Sequence, residues 1–366
     1  MPDAGATVER LDVAVFTVPT DEPESDGTLT WDSTTIVVVE AHGGGQTGLG
    51  YTYGPPAVAG VVSGTLANIA AGADALAPQA AWSSMRAALR NAGQQGIGAL
   101  ALSAVDVALH DLRARLLELP LWLALGAFRD AVPVYGSGGF TSYSLERLAE
   151  QLGGWAAQGL GRVKMKLGRD PEADRARLGT ARKAIGEDVA LMVDANGAFA
   201  PHKALGWAEV YTGYGVDWFE EPVSSDDLEG LALVRRDGPP GMAVAAGEYA
   251  WSIFDAQRLL DAGAVDVLQA DVTRCGGPTA LLRIDALARA RNRPFSAHCA
   301  PAITAHAGCA MESLVHSEYF HDHVRLEAML FDGVLNPERG ALRPARDRPG
   351  LGLELRRADA ERWRVA

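Results

Sequence analysis

The sequence predicts an α/β chain: a (β/α)8-type, TIM-like barrel preceded by an α+β capping domain. Three observations carry this. From about residue 130, short apolar runs alternate with amphipathic helical segments, the pattern of repeated βα units around a buried parallel sheet. Ionisable residues recur at the ends of those runs, at Lys166, Asp194, Glu220, Glu248, Asp271 and His298, one βα unit apart each time. The first third has a different texture, with β-branched segments followed by a long Ala/Leu-rich stretch.

In the first domain, residues 1–125, segments 8–19 and 34–41 read as strands. Between them "TDEPESDGTLTWDS" is polar and turn-rich, which predicts a mobile loop. "GGGQTGLG" (43–50) resembles a phosphate-binding loop only superficially, because no Lys-Ser/Thr and no helix follow it; it reads as a hairpin turn. Residues 56–118 have helical spacing. The barrel is expected over 126–340, through the runs "AVPVYGS", "GRVKMKLG", "VALMVDANG", "GVDWFEEP", "GMAVAAGE", "AVDVLQAD" and "RPFSAHC". Residues 341–366 form a C-terminal segment expected to return to the cap.

Bulk properties narrow the function. The 366 residues are 48% hydrophobic and 22% charged, ordinary for a globular protein, and the net charge of −13 argues against nucleic acid and anionic membranes as partners. Three cysteines (Cys275, Cys299, Cys309) without C-x-x-C spacing favour a reducing compartment, and no basic-then-apolar leader is present. The longest apolar helical run is interrupted by Asp106 and Asp111, too polar for a bilayer. A cytoplasmic protein is expected.

The chemistry begins with "KMK". In a strand, Lys164 and Lys166 project to one side, where they repel. One reading is a solvated edge strand; the other is a site where something downstream compensates. Asp194, Glu220 and Glu248 end successive predicted strands, and three carboxylates at a barrel mouth repel unless a cation bridges them. An all-oxygen donor set points to a hard divalent ion, Mg2+ with Mn2+ as a substitute. Glu220 and Glu221 are adjacent and should point opposite ways in a strand, so one of them is the ligand. Beside a cation and each other, the two lysines should have depressed pKa values, giving a general base. Asp271 and His298, on consecutive strands, suit a dyad in which the carboxylate orients the imidazole. Lys166 and His298 would then flank a ligand held over the metal, an arrangement for removing the proton next to a carboxylate.

These motifs resemble the enolase superfamily, and within it the mandelate racemase subgroup, over nearly the whole chain: "KMK", "VDAN", "WFEEP", "AAGE", "ADVTRCGG" and "SAH" in order, with "LSAVDVALHDLRARLLELPLWLALG" as the helix joining cap and barrel. The resemblance implies Glu220 as the metal ligand, Lys166 as base, and Lys164 as its carboxylate-binding neighbour. It also implies Glu318 as a hydrogen-bond donor to the substrate carboxylate, with Glu327 as rival. Muconate-lactonising enzymes and dipeptide epimerases would carry a lysine at Asp271, which argues against them. Asn196 and Arg274 are candidates for contact with the metal carboxylates or substrate, and residues 18–33 with Tyr51 and Tyr53 for closing over the mouth. A homo-oligomer, dimer to octamer, is expected. The implied activity is dehydration of an acid sugar to a 2-keto-3-deoxy acid. A racemase or epimerase of a 2-hydroxy acid and a non-catalytic binder of acidic ligands are the alternatives.

Overall fold

The computed structural model describes residues 6–366. A three-stranded antiparallel meander opens the chain: β1 (Arg10–Ser25), β2 (Thr30–Gly43) and β3 (Gln46–Tyr53), with the β2–β3 hairpin turning at Gly44 and Gly45. Helices fill most of 57–88, and the 20-residue helix Ile97–Leu116 packs its small apolar residues across β2 and β3. No helix among the described residues is long and apolar enough to cross a membrane.

Eight parallel strands follow: β4 (Val132–Gly138), β5 (Arg162–Lys166), β6 (Ala190–Asp194), β7 (Val216–Glu220), β8 (Ala243–Ala246), β9 (Val267–Asp271), β10 (Phe295–His298) and β11 (Leu314–Phe320). They pair in chain order, and β11 pairs back on β4, closing the barrel. The inward side chains of Tyr135, Met192, Trp218, Ala245 and Val267 fill the barrel interior. Register runs straight across the carboxyl ends: Lys166 is opposite Asp194, Asp194 opposite Glu220, and Asp271 opposite His298. Because β5 lies between β4 and β6, the lysines are not on an edge strand.

The predicted loop over 20–33 is a correction. β1 continues to Ser25 and β2 starts at Thr30, with Glu24, Ser25 and Asp26 buried. The hairpin tip is fastened to the barrel: Thr141 donates its N–H to Ser25 O at 2.8 Å, and Arg169 donates to the carbonyls of Asp26 at 2.9 Å and Leu29 at 2.6 Å. A Cβ at Gly27 would fall 2.4 Å from Ala195 O, so only glycine fits that approach. The turn-rich stretch is a hairpin held by the barrel and not a free loop.

After the barrel, Ala341–Leu342 pairs with β4 and Glu354–Leu355 with Phe331–Asp332. The last residues reach β1, where Val365 N donates to Val15 O at 2.9 Å and Val15 N to Ala366 O at 2.8 Å.

Candidate active site

Lys166, Asp194, Glu220, Asp271 and His298 each close their strand, and Glu248 lies two residues beyond β8. The strands are buried on both faces, so a charged side chain there has nowhere to go but the barrel mouth. Asp194, Glu220 and Glu248 bring one carboxylate oxygen each within 4.8 Å of one another. Burial, with Asp194 and Glu318 nearby, pushes Glu220 up to about 8 even though Lys164 pulls the other way. Three crowded, desolvated carboxylates are the donor set a hard divalent cation fits.

Lys166 Nζ donates to Asp194 Oδ2 at 2.5 Å. Lys164 Nζ pairs closely with Glu220, lies 2.9 Å from Glu318 Oε1 and 3.5 Å from Asp194 Oδ2. Without a cation, the two lysines shift the other way from the depression expected beside one. Burial lowers both, but Glu220 and Glu318 beside Lys164, and Asp194 beside Lys166, more than offset it, so both are raised. A cation drawing on the same carboxylates would oppose that rise.

The imidazole of His298 bonds through Nδ1 to Asp271 Oδ2 at 2.7 Å. Its Nε2 faces Glu248 Oε2 at 2.8 Å and Glu318 Oε2 at 3.4 Å. Burial lowers its pKa; the surrounding Cys299, Glu248 and Glu318 raise it well above the ordinary value on balance. Arg274 reaches both Asp271 (3.4 Å) and Glu248 (3.8 Å). The Asn196 N–H donates to Asp194 Oδ1 at 2.9 Å.

Glu318, not Glu327, joins the lysine cluster. Glu327 accepts from Tyr51 Oη at 2.6 Å and from the Ala302 N–H at 3.2 Å, and burial lifts it to about 8. Tyr51 is thus a second correction: it is wholly buried behind the mouth, stacked on Phe331. Tyr53, stacked on His323, does line the mouth. Strand alternation did not separate Glu220 from Glu221, because β7 ends at Glu220 and Glu221 has a φ of +36°. Glu221 is buried near Glu248 and Asp194, which raise its pKa further than burial alone, yet it stays outside the three-oxygen cluster.

A cavity of about 380 Å3 opens over these groups, with Trp31, Tyr53, Lys166, Asn196, Glu248 and His298 in its wall. Another, of about 450 Å3, lies between cap and barrel helices near Trp82 and contains none of the carboxylates above. One wall residue escaped the sequence reading. Cys299 Sγ is 3.3 Å from His298 Nε2, and its position next to His298 was the available signal. Trp31, within the 18–33 segment expected to close over the mouth, lines it and donates to Glu24 at 2.8 Å across an irregular hairpin.

Residues 10–126 match the mandelate racemase / muconate lactonizing enzyme N-terminal domain, and residues 145–360 match the enolase C-terminal domain-like family. A 3,6-anhydro-alpha-L-galactonate cycloisomerase of Streptomyces coelicolor is 33% identical over 95% of this chain and 97% of its own. An L-talarate/galactarate dehydratase of Salmonella typhimurium is 32% identical over 74% of this chain and 67% of its own. Among solved structures, a mandelate racemase/muconate lactonizing enzyme-like protein from Rubrobacter xylanophilus superimposes with a TM-score of 0.97 at 62% identity, covering 98% of this chain and all of that one. A Streptomyces coelicolor racemase with bound magnesium gives 0.92 at 31% identity, over 98% of this chain and all of that one. With both domains matched and the closed barrel carrying its ionisable ring, the chain belongs to the mandelate racemase / muconate lactonizing enzyme family of the enolase superfamily.

Proposed function

We propose that this chain removes the proton α to the carboxylate of a sugar-derived acid in a Mg2+-dependent reaction and expels the oxygen on the next carbon, giving a 2-keto-3-deoxy acid. The observation that carries this is the placement of Lys166 and His298. Both line one cavity, from β5 and β10, five strand steps apart one way around the barrel and three the other. A substrate between them presents one face to each.

Asp194, Glu220 and Glu248 would hold the cation, which supplies positive charge against the substrate carboxylate and the enediolate. Lys164, neutralising Glu220 and Glu318, adds a second positive charge for that carboxylate. Lys166 takes the α-proton from the face of the substrate turned to it. His298, aimed by Asp271, gives a proton to the departing oxygen. A cycloisomerase and an acid-sugar dehydratase among the relatives support elimination over racemisation.

A second reading concerns the leaving oxygen. In an open-chain acid it departs as water. In a cyclic ether it stays attached and the ring opens, by the same proton transfers. Near-complete coverage of a cycloisomerase supports the cyclic substrate. The test is a panel of aldonic, aldaric and anhydro-sugar acids with Mg2+ in deuterated water, followed by NMR. A 2-keto-3-deoxy product supports elimination, and the substrate that yields it separates dehydration from ring opening. Deuterium exchange with inversion and no keto product would establish a racemase instead; neither exchange nor turnover would leave a binder of acidic ligands.

A further inference from the structure

We infer that the cap domain positions the Asp271–His298 pair, with Thr52 of β3 as a positioning residue acting through the loop that follows β9. The inference rests on the reading of His298 given above.

The chain of contacts is continuous. His298 Nδ1 bonds to Asp271 Oδ2 at 2.7 Å, and the other carboxylate oxygen, Oδ1, accepts from both the N–H and the hydroxyl of Thr273 at 2.7 Å each. The carbonyl of Thr273 in turn accepts from the Thr52 hydroxyl at 2.7 Å. Thr52, Asp271 and Thr273 have no exposed surface, so each bond is made away from competing water. Thr52 belongs to the cap and Asp271 to the barrel.

Two more points, at the end of that loop and in the first turn of the helix Gly277–Ala290 that follows it, are tied to the cap. At Gly276, the N–H donates to Ser103 Oγ at 2.9 Å and the carbonyl accepts from Trp82 Nε1 at 2.8 Å. At Thr279, the N–H and hydroxyl both donate to the Asp106 carboxylate at 2.8 Å. A Cβ on Gly277, whose φ is +76°, would come 2.4 Å from Asp106 Oδ2, so backbone and cap helix meet without slack. Apolar packing alone would join two domains. Here three cap elements instead grip two points of one barrel loop and the first turn of the helix after it by polar, directional bonds, and the near end of that loop is the carboxylate that orients His298. Which imidazole nitrogen carries the proton, and where Nε2 points, depend on that carboxylate.

Thr52→Val keeps shape and removes the donor, leaving a buried carbonyl without its partner. In the full-length, Mg2+-loaded enzyme, kcat should fall about tenfold or more while KM holds, as for loss of a group that orients an acting side chain. Thr52→Ser should restore kcat. The Thr52→Val/His298→Ala double variant should be no slower than His298→Ala alone. A readout without turnover accompanies these: the Nδ1–H resonance of His298 in histidine-labelled protein should move in Thr52→Val and stay in Thr52→Ser. Multiplying losses in the double variant, or an unmoved resonance, would overturn the inference. If wild type acts on no acid in the panel, the functional reading fails while the resonance still decides this one.

Discussion

Lys164 Nζ stands 2.9 Å from Glu318 Oε1, and the two meet because β11 closes on β4, next to β5. The same ammonium pairs with Glu220, so one buried cation serves carboxylates from two sides of the barrel.

Lys164→Met should therefore do two separable things. It strands two buried carboxylates, and loss of one partner from a buried pair costs about 3–5 kcal/mol, visible as a lower Tm. It also removes a like charge that holds Lys166 down. Lys166 becomes more basic, less free amine exists at a given pH, and the acidic limb of kcat against pH moves upward. A limb that stays in place, with only weaker substrate binding, would leave Lys164 as a carboxylate ligand and end its role in tuning Lys166.

Asp194→Asn removes one oxygen charge from the three-carboxylate cluster and the partner of Lys166. Calorimetric titration with Mg2+ should show affinity lower by more than about tenfold, and turnover should fall with it. Chelation of wild type should abolish activity and added Mg2+ should restore it. Wild-type affinity in the variant would take Asp194 out of the metal site.

Glu24, buried in the cap hairpin, is raised to about 8 by burial first and by Asp322 and Asp21 next, with Trp31 opposing. An acid with a folded pKa above its unfolded value contributes its full share of stability below the unfolded pKa, about 4.5, and loses it as pH rises through about 8. Wild type should become less stable across that window, by on the order of a few kcal/mol. Glu24→Gln, which can keep the oxygen that Trp31 contacts, should flatten the curve. An equal difference in unfolding free energy between pH 5 and pH 8.5 for wild type and Glu24→Gln, measured by urea denaturation, would show that Glu24 does not titrate this way.

The barrel was legible because its strands are short, apolar and bounded, and because six in succession end on or within two residues of an ionisable side chain; the chemistry itself marked the period. Lys164, Lys166, Asp271 and His298 could be placed for that reason. What escaped depended on partners far along the chain. Tyr51 looked like a mouth residue until Glu327, from beyond β11, turned out to hold it inside. The polar stretch over 20–33 gave no sign of order because its order comes from Thr141 and Arg169 in the barrel. Glu221 defied alternation because the strand stops one residue earlier. Thr52 carried no signal at all: a threonine in a strand is unremarkable until the carbonyl it meets is known.

The register Lys166–Asp194–Glu220 has a consequence for how such a protein can change. These residues form a single row across neighbouring strands, so their spacing is set by backbone pairing and not by the loops that join them. Loops between strands can lengthen, shorten or be exchanged and the row survives. Deleting one residue within β6 would turn Asp194 to the opposite face and break the row at once. New specificities can therefore be written in the connections, by insertion and deletion, while the lengths of the strands themselves are held constant.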